Sequence, residues 1–187
     1  KGLFLPFGTG SLIVREQNTL LRAHQTKSVS YLPDMQEDEG MVDFCEISPE
    51  LSRDFRGLRV WLPIKLLGIQ PFREALEEKL ALVDWATQEL RKIPHVEIIA
   101  APQLSIVAFR LTDDGLDTEA HNSLNRAWLA DINARQRVLL TGTMLDDTFV
   151  LRICVLSFRT HQTRMEMCLS DIRNTSHTQL TRVRKII

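Results

Sequence analysis

Helices alternating with pairs of strands, in a chain of ordinary globular composition, predict an α/β fold with helices packed on one face of an antiparallel or mixed sheet. Three observations lead there. From residue 71 the apolar pattern runs helix, two strands, helix, two strands, helix. Hydrophobic residues make up 44% of the 187-residue chain and charged residues 25%, which supplies enough apolar surface for a core. No internal repeat or low-complexity tract interrupts the pattern.

The elements follow in order. Lys1 to Arg15 reads KGLFLPFGTGSLIVR, two apolar strand-like runs around a Pro-Phe-Gly-Thr-Gly break. Thr19 to His24 suits a short helix. Residues 27–47 lose periodicity, and Asp34 to Glu46 holds six acids and no base, as in a solvated loop. Tyr31-Leu32-Pro33 stands in that loop. Ser48-Pro49 reads as an N-cap followed by proline at the first helical position. Phe55, Leu58, Trp61, Leu62 and Ile64 then recur at helical spacing, with a kink expected at Pro63 and an end at Gly68. A second helix starts at Pro71, with Phe72, Leu76, Leu80, Val83 and Leu90 as its buried stripe and Arg73, Glu77, Glu78 and Lys92 wet. Pro94 stops it. VEIIAAPQLSIVAFRL reads as a hairpin about Ala101-Pro102-Gln103. Asp117 or Thr118 caps a helix whose Ala120, Leu124, Trp128 and Ile132 share a face. Arg137–Leu145 and Thr148–Phe158 form two strands joined at Asp146-Asp147, and a last helix runs from about Thr160 through Met165, Cys168, Leu169 and Ile172. Trp61, Trp85 and Trp128 all fall on apolar helix faces and are expected in the core.

Charge and cysteine usage narrow the function classes. The net charge of -1 gives no electrostatic footprint for nucleic acid or an anionic membrane. The longest apolar runs, such as Val96 to Ala101, are too short to span a bilayer. No signal peptide is evident, and a first residue of Lys reads as a start internal to a longer protein. Cys45, Cys154 and Cys168 match neither a disulfide framework nor a zinc pattern, so reduced thiols in the cytoplasm are expected. The five histidines show no metal-binding spacing. Gly8-Thr9-Gly10 lacks the lysine and helix of a phosphate loop, and no GxSxG elbow is present.

Six segments carry a resemblance. KGLFLPFGTGSLIVRE, Tyr31-Leu32-Pro33, LSRDFRGLRVWLPIKLLG, FREALEEKLAL, LSIVAFRL and FVLRICVLSFRT follow one another from Lys1 to about Ile172. In that order they resemble the group II pyridoxal-phosphate-dependent decarboxylases, the family of the aromatic-L-amino-acid and glutamate decarboxylases. The arginine-rich SRDFRGLRVW is the most specific piece. The resemblance implies the aspartate-aminotransferase-type fold (fold type I), with residues 1–58 ending the large cofactor domain and 59–187 forming the small C-terminal α/β domain. It implies pyridoxal 5′-phosphate as cofactor, an L-amino acid as substrate with aromatic side chains preferred, release of the amine and CO2, and a homodimer.

Three residues take roles by the same resemblance. Lys1 stands at the cofactor lysine, whose amine bonds the cofactor aldehyde and yields to the substrate amine. Tyr31, the only tyrosine, stands in a mobile loop over about 27–47 that closes on the partner subunit's active site and returns a proton. Arg53 matches an arginine that grips the substrate α-carboxylate, for which a guanidinium fork is suited. Arg53, Arg56 and Arg59 share one segment, so one of them can equally brace the helix. Two other readings are a non-catalytic relative or isolated fragment serving as a dimerisation or binding module, and a different pyridoxal enzyme of the same fold, such as a desulfurase or aldolase.

Overall fold

The computed structural model describes residues 2–16, 18–24 and 43–183. They fall into two compact units, one within Leu5–Leu66 and one built from Leu67 onward with the residues before Leu5.

The later unit holds the sheet. Helix α3 (Gln70–Leu90) precedes β1 (Val96–Gln103), β2 (Ile106–Leu111), α4 (Thr118–Ala134), β3 (Thr141–Leu145), β4 (Thr148–Cys154) and α5 (Gln162–Val183). The earlier unit carries α1 (Asn18–His24) and all but the last residue of α2 (Leu58–Leu67). The four strands run in the order β1-β2-β4-β3, every pair antiparallel. Val107, Phe109 and Leu111 alternate along β2, and Phe149, Leu151 and Ile153 along β4. Period-2 alternation puts each set on one face of the sheet. Leu82, Val83, Ala86 and Leu90 of α3, Leu124, Trp128 and Ile132 of α4, and Met165, Cys168, Leu169 and Ile172 of α5 complete one core against it. Trp128 meets Phe109 edge-on, ring centroids 5.7 Å apart, and its Nε1 donates to Thr175 Oγ1 at 2.9 Å.

Polar staples fix helices to the sheet. On α4, Asn125 accepts from Leu111 N at 2.7 Å and donates to Leu111 O at 2.8 Å. Asn122 spans the β3–β4 turn, donating to Asp147 O and accepting from Phe149 N. Asn133 likewise exchanges two hydrogen bonds with the Leu140 backbone. Asp171 of α5 has a fully buried side chain that accepts from Arg135 Nη1 at 3.1 Å, Arg137 Nε at 3.0 Å and Arg137 Nη2. The α4–β3 loop is thereby clipped to α5. Of the two cap candidates, Asp117 is the one that caps α4, its Oδ1 accepting from Ala120 N at 2.8 Å.

Several expectations are corrected. Residues 2–16 form turns and irregular backbone, not two strands, with no strand among the described residues alongside them. Ser48 does not cap a helix: its hydroxyl donates to Phe44 O, and α2 begins at Leu58. Trp61 is 59% exposed, and no residue of α2 is buried, so its apolar stripe joins no core among the described residues of its own unit. Leu80 is half-exposed, and Lys79 is buried in its place. The hairpin turns at Leu104-Ser105 instead of at Ala101-Pro102-Gln103. Pro102 sits inside β1, an edge strand whose register shifts there, which accommodates a residue without a ladder donor. Strands β3 and β4 are shorter than read, and α5 continues well past Ile172.

Candidate functional site

Glu50 to Arg59 brings the arginines together with acids that sort them. Arg56 grips Glu50 with two hydrogen bonds of 3.0 Å, and this pairing holds the Glu50 carboxyl below its usual range. Arg59 pairs with Asp54 and donates to Phe7 O at 3.3 Å, bracing the turn at Gly8, whose φ is +85°. Arg53 differs. Its guanidinium lies over the Phe44 ring at 5.0 Å and reaches Ser48 Oγ at 3.5 Å, the outer limit of a hydrogen bond. Among the described residues no ion pair engages it. The loop acid Asp43 sits below its usual range because Cys45 hydrogen-bonds it, and the same contact pushes the Cys45 thiol up.

Lys1 and Tyr31 lie outside the described residues, as does most of the 27–47 segment. Of the three site residues taken from sequence, the structure therefore describes Arg53 alone.

A second arrangement, which sequence reading missed, lies in the sheet unit. A cavity of about 400 Å³ is lined by Thr141, Arg152, Arg159, Arg164 and Cys168 among others, three arginines in all. Arg152 donates from Nη2 to Thr141 Oγ1 at 3.1 Å, while its Nε is buried with no partner among the described residues. Burying a charged donor without an acceptor is costly, so the cavity is suited to an anion. The available signal was an arginine set in the apolar run FVLRIC. Cys168 is a poor nucleophile there, since burial pushes its thiol up to about 12. Among the described residues no cluster is able to hold a metal ion, and no helix is long and apolar enough to cross a membrane.

The pyridoxal-dependent decarboxylase conserved domain matches residues 1–112. The chain belongs to that family. It is similar to the aromatic-L-amino-acid decarboxylase of Bacillus atrophaeus, 31% identical over 175 residues, covering 92% of this chain and 36% of that protein. It also resembles tyrosine decarboxylase 2 of Arabidopsis thaliana, 26% identical with 83% and 28% covered. The chain thus spans about a third of the length of these relatives. Among solved structures, Oryza sativa TDC with PLP and tryptamine gives a TM-score of 0.77 at 18% identity, covering 88% of this chain and 34% of that one. Catharanthus roseus tryptophan decarboxylase in complex with L-tryptophan gives 0.71 at 23%, with 84% and 31% covered. The fold is that of the fold type I pyridoxal-phosphate enzymes, of which the antiparallel sheet with its helices is a part.

Pyridoxal 5′-phosphate is the cofactor that family membership brings. It presents an aldehyde, a pyridine nitrogen and a phosphate. Within the Leu5–Leu66 unit the described residues fit its anionic chemistry: Arg53 has no ion pair among them, and Thr9 Oγ1 is buried with no partner among them. Glu50 and Asp54, the two carboxylates beside Arg53, are engaged by Arg56 and Arg59.

Proposed function

We propose that the protein containing this chain decarboxylates an L-amino acid, with aromatic side chains preferred, to the amine and CO2. The observation that carries the reading is the family match over residues 1–112. The B. atrophaeus relative, the one cited above 30% identity, supports the aromatic preference. When bound, pyridoxal phosphate accepts the electron pair left as the carboxylate departs. Three residues of this chain take part. Lys1 holds the cofactor through its amine, which requires that amine unprotonated or already bonded, against a free lysine value near 10.4. Arg53 holds the substrate α-carboxylate in a fixed orientation. Tyr31 donates a proton to the substrate Cα through its phenol hydroxyl. Residues 1–58 belong to the large domain and 59–187 to the small one. The enzyme is a cytoplasmic homodimer.

The unmatched Nε of Arg152 supports a second seat for the carboxylate, in the 400 Å³ cavity. Kinetics of the whole protein separate the two. Arg53→Lys or Arg152→Lys, whichever residue holds the carboxylate, raises KM about ten- to a hundredfold, as expected for a lost charge-assisted hydrogen bond. The other acts on melting temperature alone. For the activity itself, borohydride reduction of the cofactor-loaded protein followed by mass mapping should place the adduct on Lys1. CO2 release should follow addition of an aromatic L-amino acid. A protein that takes up no cofactor at Lys1 and releases no CO2 is not this enzyme.

A further inference from the structure

We infer that Lys79 is a positioning residue: through Thr160 it sets the turn against which the segment following Lys1 rests. The inference rests on the reading that Lys1 carries the cofactor.

Lys79 is 2% exposed, although on the same helix Glu77 is exposed and Glu78 only half-buried. A buried ammonium is costly unless its protons are all directed at acceptors, and a leucine or methionine would fill the same space without that cost. The ammonium is therefore explained by what it holds. Nζ donates to Glu78 Oε2 and to Thr160 O, each at 2.6 Å. Glu78 Oε1 in turn lies 2.7 Å from His161 Nδ1. Two adjacent residues of α3 thus clamp two adjacent residues at the entry to α5.

The clamped residues end a closed turn. Thr160 N donates to Ser157 O at 3.0 Å, and Arg159 N donates to Ser157 Oγ at 3.2 Å. Phe158 and Arg159 stand between these anchors and face different tasks. Arg159 and Thr160 line the cavity that holds Arg152. Phe158 meets Phe4 edge-on, with ring centroids 6.4 Å apart and planes at 71°. Phe4 stands three residues after Lys1 and has φ of 58°, a left-handed conformation that a phenylalanine keeps only where its surroundings hold it. A line of contacts therefore runs from the Lys79 ammonium through Thr160 and Phe158 to Phe4. The same clamp sets one wall of the arginine cavity.

Lys79 and Phe158 are tested together in the whole protein loaded with pyridoxal phosphate. Cofactor affinity is measured by equilibrium dialysis, the pH midpoint of the Lys1-bound cofactor is followed by absorbance, and the melting temperature is recorded for each variant. Lys79→Met keeps the aliphatic stem and removes the ammonium. It should weaken cofactor binding about tenfold and move the pH midpoint. Phe158→Leu, at a half-exposed site, should do the same with its melting temperature unchanged. The double variant should be no worse than the more affected single, because both act along one line. Additive losses, or variants that alter melting temperature while affinity and midpoint stay at parental values, overturn the inference. Should Lys79→Met fail to fold, Phe158→Leu decides alone: a parental affinity and midpoint in that variant overturn it. A parent without a Lys1 adduct overturns the functional reading and this inference with it. A parent with the adduct and unaffected variants overturns the inference only.

Discussion

Replacing Asp171 by Asn removes one charge and leaves the shape nearly unchanged, so its effect measures the clip between α5 and the α4–β3 loop. Breaking a buried ion pair costs about 3–5 kcal/mol, and an exposed pair is worth at most about 1 kcal/mol. This cluster lies between those limits. The Asp171 side chain is fully buried, while Arg135 and Arg137 are 39% and 42% exposed and can return to water. Asn also keeps one carbonyl acceptor. Roughly 2 kcal/mol is expected, which corresponds to about thirtyfold less protection of the amides that open with this unit. Native-state hydrogen exchange over residues 135–145 and 162–183 reads it directly. A pH series adds an independent arm. Hydrogen bonds from Arg137, opposed by burial and aided by Arg135, hold the Asp171 carboxyl below its usual range. Its contribution is therefore complete above the unfolded value of about 3.9, and it is lost as pH falls through the lower folded value. The Asn variant should show a flatter acid limb than the parent. Unchanged protection at pH 7, or identical acid limbs, would refute the assignment of the clip to this carboxylate.

Other substitutions test the packing. A Cβ on Gly142 would stand 2.2 Å from the Phe149 ring, over which Arg126 also lies at 4.2 Å, so Gly142→Ala should destabilise by about 1–3 kcal/mol, and adding Phe149→Leu should recover part of it. Asn125→Ala strands both backbone groups of Leu111 in the core and should cost at least about 2 kcal/mol in urea unfolding, with Asn125→Asp no better because it has no donor for Leu111 O. Brief maleimide labelling of the folded protein at neutral pH should modify the exposed Cys154 and spare Cys168, whose thiol is buried and pushed up to about 12. Equal labelling of both would show that the α5 core opens readily.

Local chemistry, which the sequence carries in full, determined the succession of elements from α3 to α5. The proline at the start of α3, the Asp117 cap and the strand alternation of IVAFRL and TFVLRIC act within a few residues. Core membership of Val83, Leu90, Leu124, Trp128 and Ile172 followed from the same periodicity. The family was also legible, because ordered motifs survive where overall identity is low. Tertiary structure decided what periodicity cannot express. Whether the apolar stripe of α2 is buried depends on a surface to cover it, and among the described residues of its own unit there is none, so Trp61 is exposed. A lysine on an amphipathic helix ordinarily faces water, yet Lys79 is buried where Thr160, remote in sequence, supplies an acceptor. The three arginines of SRDFRGLR look equivalent along the chain. Only the positions of Glu50 and Asp54 tie up Arg56 and Arg59 and leave Arg53 without an ion pair among the described residues. The Asn residues of α4 likewise act by pairing with strand backbone that the sheet brings to them. Burial and partnership are properties of distant segments meeting, and a local pattern fixes only which face of each segment is able to meet another.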